Sequence, residues 1–420
     1  MPPRHGRMAC RLLSDIEEPA IFTRDGQEET RVDRVRHSNK VRVLETIRKS
    51  EPVARTEIAE ITGLAHSTIS SIVQELVDGF FVTEKKQKSE GKGRPRISLG
   101  MNRDAGAVAG VFLFPDGRMD VRLSNMAGET LFSGSCVIRP DDQPDLLADA
   151  MAHHLSEIFS QCGQQDIFAI GISIAALIDA AAGVIHWMPP GAPAPIPFAA
   201  MLEERLGRRV YIDNVANIIA RSLRWSEREE QPEDFITIII GPGIAMARFT
   251  EGIIRNGARG FNSEIGHVKV ATAPEANCIC GRKGCLFAVA SFTGLARRAA
   301  QDDTLSARHA VAGFNALKQA ASNGDGHALS LFSQAGEAMG IAISNIINLS
   351  DPGRILIATE DEEWFRFAGP ALREYTVANS ILPLQPYVDL SFSLLNPDHY
   401  VTGTISMVFD RMLMARENVG

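Results

Sequence analysis

From residue 107 onward the chain alternates short apolar runs with amphipathic stretches, and this alternation limits the fold more than any other feature. The runs 107–114, 167–174, 210–213, 235–240 and 354–359 have strand length and are largely apolar. Segments 146–161, 198–206, 215–226 and 329–349 instead repeat apolar residues at helical spacing. Nearly continuous apolar strands separated by helices belong to sheets covered on both faces, so the body is predicted to be α/β. No short internal repeat is visible. With 420 residues, two or three domains fit.

Ahead of the body the periodicity is helical. Residues 39–50 place Val41, Leu44 and Ile47 on one face, and 56–62 carries Ile58 and Ile61 before Gly63 permits a sharp turn. A third helix over 67–78 aligns Ile69, Ile72, Val73, Leu76 and Val77, with Phe80 continuing the stripe. Its other face offers Ser67, Thr68, Ser70, Ser71 and Gln74, with His66 at its mouth. Such short polar groups can approach phosphates and base edges. A plain three-helix bundle would also expose a polar face. The basic, Gly-rich segment EKKQKSEGKGRPRIS that follows favours a DNA-binding wing. Lys85, Lys86, Lys88 and Lys92 would meet phosphate there; Arg94 and Arg96 flank Pro95 in a unit able to lie in a narrow minor groove. This gives an arm over 1–36, a winged helix-turn-helix over 37–100 and a body over 101–420, with the stretch 84–96 as the natural boundary.

Charge agrees in sign. Residues 1–100 hold 18 Lys and Arg against 15 Asp and Glu, and the rest 25 against 36. A weakly basic front on an acidic body suits an anionic partner bound at the front. No apolar run reaches the roughly 20 residues of a membrane span, and the amino terminus lacks the apolar core of a signal peptide. Six cysteines do not make a disulfide framework. A cytoplasmic location and no membrane partner are therefore expected.

Three of those cysteines fall within eight positions. Cys278, Cys280 and Cys285 follow His267, and Gly-Arg-Lys-Gly lies between the last two. One imidazole and three thiolates complete a tetrahedral site with no position left for water, which predicts structural Zn2+. The alternative is a set of buried free thiols beside an unrelated histidine. Cys10, Cys136 and Cys162 are isolated and read as packing residues.

The segments GARGFNSEIGH and CICGRKGC, with DNVAN, IIIGPGI and the front ending in GRP, resemble the ROK family (repressors, open reading frames and kinases). The resemblance implies two lobes of actin/hexokinase-like, ribonuclease-H-type architecture around a cleft, usually dimeric. Its members are sugar kinases or, behind a winged helix-turn-helix, sugar-responsive transcription factors. The Pro-dense loop 188–197 would then span between lobes. By resemblance, Asn214, Glu264 and His267 match positions that contact or support sugar hydroxyls.

The departures from the family pattern choose between these roles. Where family kinases resemble Asp-x-Gly-Gly-Thr, this chain reads GVFLFPDG, with Phe112 and Phe114 at the Asp and Gly. The phosphate loop reads GPGIAMA, in which Ala245 and Ala247 add Cβ atoms. The general base of Asn-Asp-Ala-Asn is replaced by Val215, which cannot accept a proton, a loss worth about 10²–10⁴-fold. Asp213 should point elsewhere. Phe287 stands where the family has a sugar-contacting Glu, so the pocket should prefer a less polar ligand. The expected protein is not an enzyme. It is a regulator of carbohydrate-related genes that binds operator DNA as a homodimer or dimer of dimers, with a sugar or sugar-derivative effector. The alternatives are an active sugar kinase with a DNA-binding appendage and a ligand-independent regulator with a vestigial cleft.

Overall fold

The computed structural model describes residues 31–86, 97–138, 143–162, 166–188, 191, 195–226, 232–387 and 389–415. The head consists of α1 (Arg31–Ser50), α2 (Arg55–Thr62) and α3 (His66–Asp78), followed by β1 (Val82–Lys86) and β2 (Ile97–Met101). The two strands pair antiparallel, Val82 opposite Met101 and Lys86 opposite Ile97. The described strands on either side of the basic stretch therefore pair with each other, and its residues 87–96 lie outside the described residues. Gly63 adopts φ 69°, the left-handed turn between α2 and α3 that a Cβ would strain.

Helix faces differ from prediction in three places. On α1 the buried residues are Val43, Leu44 and Ile47, while Val41 is half-buried. On α2 the inner stripe is Ile58, Ala59 and Thr62; Ile61 is 59% exposed, because one short helix turns a single face to the head's core. On α3 burial covers Ile69, Ile72, Val73 and Leu76, each worth roughly 1.5–3 kcal/mol. The stripe then ends: Phe80 takes φ 63° and stays exposed, and Phe81 enters the core instead.

The first lobe contains β3 (Ala107–Leu113), β4 (Arg118–Asn125), β5 (Thr130–Val137), α4 (Pro144–Gln161) and β6 (Ile167–Ile174). A small hairpin of β7 (Leu177–Asp179) and β8 (Val184–Trp187), then α5 (Phe198–Leu206) and β9 (Arg209–Asn214), complete it. Its sheet order is β5-β4-β3-β6-β9, with β3, β4 and β5 antiparallel and β6 and β9 parallel to β3. Helix α6 (Val215–Ser226) leads to the second lobe.

That lobe contains β10 (Phe235–Ile240), β11 (Ile244–Thr250), β12 (Ile253–Ile254), α7 (Leu286–Ala290), α8 (Phe292–Ala300), α9 (Ala307–Ser322) and α10 (Gly326–Ser350). It continues with β13 (Arg354–Thr359), α11 (Glu362–Asn379) and β14 (Asp389–Leu394). The order β12-β11-β10-β13-β14 repeats the first sheet's pattern of an antiparallel meander joined to parallel strands. Helix α12 (Pro397–Ala415) then packs back on α6, β3 and β6. The architecture is thus the α/β, two-lobed one expected, and its duplication exists in topology where no short repeat exists in sequence. Ile185 and Ile196, on either side of most of the Pro-dense segment, exchange backbone hydrogen bonds, so both of its ends belong to the first lobe; residues 189–190 and 192–194 lie outside the described residues.

Candidate functional site

Two groups of side chains have site chemistry, one on the head and one between the lobes. On α3, His66, Ser67, Ser70, Ser71 and Gln74 are exposed and Thr68 half-buried; Ser67, Ser70, Ser71 and Gln74 face away from the core stripe, and His66 and Thr68 flank it. Three of these polar groups are held locally. Ser70 Oγ donates to His66 O at 2.9 Å, Ser71 Oγ to Glu75 Oε1 at 3.3 Å, and Gln74 Nε2 to Asp78 Oδ1 at 2.8 Å. Glu75, one of two acidic groups on this helix, is neutralised by α1: Lys40 Nζ lies 2.7 Å away and Arg36 also pairs with it. Burial would raise its carboxyl, but Lys40 and Arg36 outweigh that and hold it below the usual range. Lys85 is exposed on β1, and Arg55 ties α2 to the same strand through Glu84 at 2.5 Å. Lys86 closes β1. Lys88, Lys92, Arg94 and Arg96 lie outside the described residues.

The second group gathers at the end of β9 and on the β11 side of the cleft. Asn214 ends β9 and caps α6: its Oδ1 accepts from Ala216 N at 2.8 Å, and its Nδ2 donates to Ala176 O at 2.7 Å. Val215 is the first residue of α6. Asp213 is buried and accepts from Asn217 Nδ2 at 2.8 Å and Asn214 N at 2.8 Å, so its carboxylate is engaged inside the fold. Asn262 Nδ2 reaches Asn214 Oδ1 at 3.4 Å, and Asn262 Oδ1 is buried with no hydrogen-bond partner among the described residues. Glu264 keeps an exposed surface in a crowded crevice, and the desolvation raises its carboxyl above the usual range. Sequence reasoning missed Asn262, although it lies within the GARGFNSEIGH segment.

Phe112, Phe114 and Tyr400 form one aromatic cluster, with centroids 4.5 Å apart for the two Phe rings and 4.3 Å for Phe112 and Tyr400. The Arg118 guanidinium caps Phe114 at 3.7 Å. Ala247 is buried in the loop-bearing strand β11 and Ala245 half-buried. Phe287 is buried too, with its ring 3.5 Å from where a Cβ on Gly243 would stand.

The four predicted metal ligands converge. One ligand atom from each of His267, Cys278, Cys280 and Cys285 lies within 4.8 Å of all the others. Cys278 Sγ is 3.5 Å from His267 Nδ1, and Cys280 Sγ is 3.7 Å from Cys285 Sγ. A tetrahedron with zinc–sulfur bonds of about 2.3 Å has edges of about 3.8 Å, so the donor set fits this metal. Local sequence explains the convergence: Gly281 and Gly284 take φ 75° and 68°, folding the chain back between Cys280 and Cys285. Lys269, two residues after His267, donates to Cys285 Sγ at 3.1 Å and had no signal of its own in the sequence. Burial, with Lys269 nearby, pulls the His267 imidazole down and so keeps the neutral ring that metals bind. The ring sits between Phe287 at 6.2 Å and Trp187 at 6.1 Å, which links the knuckle to the cleft wall.

The chain is 26% identical over 385 residues to the xylose repressor of Caldicellulosiruptor bescii, spanning 89% of this chain and 96% of that protein. It is 26% identical over 338 residues to the DNA-binding transcriptional repressor Mlc of Escherichia coli (strain K12), spanning 78% and 82%. Among solved structures, a ROK family transcriptional regulator described as a homolog of the E. coli MLC protein superposes with TM-score 0.73 at 22% identity. It covers 92% of this chain and 99% of its own. The ROK hexokinase from Thermus thermophilus matches 75% of this chain and all of its own, with TM-score 0.57 at 23% identity, so repressor and kinase bodies share this fold. The ROK family model matches residues 120–376, from β4 to near the end of α11 and across the knuckle, and the chain belongs to the ROK family.

Proposed function

We propose that this chain is a transcription regulator of carbohydrate-related genes, whose head reads operator DNA and whose kinase-like body holds the dimer and senses a sugar-type effector. The observation that carries this reading is the pairing of an exposed, uncharged α3 face with a body whose general-base position is Val215. His66, Ser67, Thr68, Ser70, Ser71 and Gln74 would meet base edges and phosphates; Lys85, Lys86, Arg94 and Arg96 would meet the backbone and minor groove. The xylose repressor and Mlc, to which the chain is similar over most of its length, are named for such a role. Asn214, Glu264 and His267 would line the effector's place, and the unpartnered Asn262 Oδ1 offers an acceptor for a ligand hydroxyl or N–H.

His267, Cys278, Cys280 and Cys285 would hold one structural zinc ion, which supplies no chemistry beyond fixing the loop that carries His267 toward the cleft. In this reading the chain does not phosphorylate sugar: Val215 takes no proton, and the Phe112–Phe114–Tyr400 cluster packs in one core group with Ala245 and Ala247, whose Cβ atoms stand where the family's phosphate loop has glycine. A cytoplasmic homodimer on a two-fold operator is the form expected. The test is selection of random-sequence DNA on the purified chain, followed by binding to the recovered site with and without sugars. Recovery of a two-fold motif with nanomolar binding is expected. Absence of any enriched sequence, or ATP-dependent phosphorylation of a hexose by the unmodified chain, would overturn the reading.

A further inference from the structure

Helix α1 does not rest on one lobe. Toward the first lobe, Arg48 Nη2 donates to Trp225 O at 3.2 Å, and its guanidinium lies 4.0 Å from the Trp225 ring. Toward the second, Ser38 Oγ donates to Glu251 O at 3.1 Å, in the turn between β11 and β12. Arg42 also reaches toward that lobe, 3.9 Å from the Glu233 carboxylate. Arg224 of α6 ties the three pieces together: Nη1 donates to Gly252 O at 2.6 Å, and Nε is 3.9 Å from the Glu45 carboxylate of α1. Where head and lobes meet, a small cavity is lined by His37, Glu45, Arg221, Arg224, Gly252 and Asp410. The head is therefore seated on the seam between the lobes.

That seam has its own latch. Tyr400 of α12, on the first lobe, donates its hydroxyl to Glu360, just after β13 of the second lobe. The rest of the contact is largely apolar, through Ala216, Ile219, Ala220 and Leu223 of α6 against Phe235, Ile239 and Ala247. Packed interfaces of this kind move as rigid bodies between discrete arrangements and do not deform smoothly. If one lobe rotates on the other, α1 cannot keep both anchors, because a hydrogen bond weakens steeply once its geometry is lost.

We propose that α1 converts a change in the angle between the lobes into a change in the pose of the DNA-reading helix, by being anchored at once to Trp225 of the first lobe and to the Glu251–Gly252 turn of the second. The proposal rests on the reading of the head as a DNA reader and of the cleft as an effector site. An effector that closes the cleft would act on DNA affinity through this seat, with Ser38, Arg48 and Arg224 as its positioning residues. A ligand shifts such an equilibrium only by its differential affinity for the two arrangements.

The experiment loosens the latch without touching α1. Tyr400→Phe and Glu360→Gln are made singly, and each is combined with Ser38→Ala, in the full chain. Hydrogen exchange of the α1 amides is followed by mass spectrometry, with circular dichroism as the check that each variant folds. In both latch variants, α1 exchange is expected to rise by roughly threefold or more. Affinity for the selected DNA site should shift by a similar factor, and Ser38→Ala should suppress the latch effect instead of adding to it. Unchanged α1 exchange in a folded latch variant overturns the proposal, as do strictly additive effects on DNA affinity. If the unmodified chain binds no selected DNA, the DNA-reading role falls, while the exchange measurement still decides whether α1 follows the lobes.

Discussion

At Gln74 and Lys85 the head presents two kinds of side chain that should fail differently when removed. Gln74 can pair bidentately with adenine, a contact worth about 1–3 kcal/mol of discrimination; to do so it must leave Asp78, which now holds its amide at 2.8 Å. Gln74→Ala is expected to relax sequence preference more than it weakens binding to scrambled DNA. Lys85→Ala should weaken binding to every sequence and flatten the log–log salt slope by about one unit. Titration of selected and scrambled sites at several salt concentrations checks both. In the cleft, Val215→Asp restores a carboxylate at the start of α6 but leaves the Phe112–Phe114–Tyr400 cluster and the alanines Ala245 and Ala247 packed with it. A coupled nucleotide-hydrolysis assay with hexoses should stay at background for this variant. Turnover would mean that the aromatic cluster yields to nucleotide.

Among the elements, the knuckle has the least intrinsic reason to hold its shape. One turn of 3-10 helix, Ile265–His267, leads into it, the isolated bridges Lys269–Cys285 and Asn277–Lys283 lie within it, and α7 begins immediately after Cys285. Without a metal, the conformation rests on a few backbone hydrogen bonds such as Cys278 N to Arg282 O at 2.9 Å and Gly284 N to Ala276 O at 2.8 Å. Cys280→Ser is expected to lower zinc content from one per chain and to drop the melting temperature by several degrees, since a bound metal contributes directly to folding. Elemental analysis with thermal melts of both proteins measures this. Metal-free but equally stable wild-type protein would contradict it. The wing hairpin is the opposite case, because strands β1 and β2 pair along five residue positions and need no such staple.

For the molecule as a whole, the seat of the head on the body carries a pH signature. His37 is 2% exposed, and burial, with Arg221, Lys40 and Arg411 nearby, lowers its pKa to about 4. The unfolded chain takes up a proton near pH 6.5 that the folded chain refuses until about pH 4. Stability is therefore full above 6.5 and falls as pH drops through that window, by at most about 3 kcal/mol. His37→Gln should flatten the fall in melting temperature between pH 7 and 4.5; an equally steep fall in the variant would remove His37 as its source. This effect is not legible in the sequence, in which residues up to 36 read as an arm and His37 as the edge of the head. Features that depend on neighbours along the chain are legible in the order of residues alone. Apolar periodicity placed β3, β6, β10, β13, α5 and α6 to within a residue or two, and the spacing of Cys278, Cys280 and Cys285 around two glycines specified the knuckle. It erred on Ile61 and Phe80, where helical spacing alone does not say which stripe meets a partner or where the chain turns. Features that depend on distant partners emerge with the folded chain: Lys269 beside Cys285, Glu75 neutralised by α1, the aromatic cluster completed by Tyr400, and α1 set across both lobes. Those contacts join residues far apart in the chain, and their energies come from burial and geometry that no local pattern encodes.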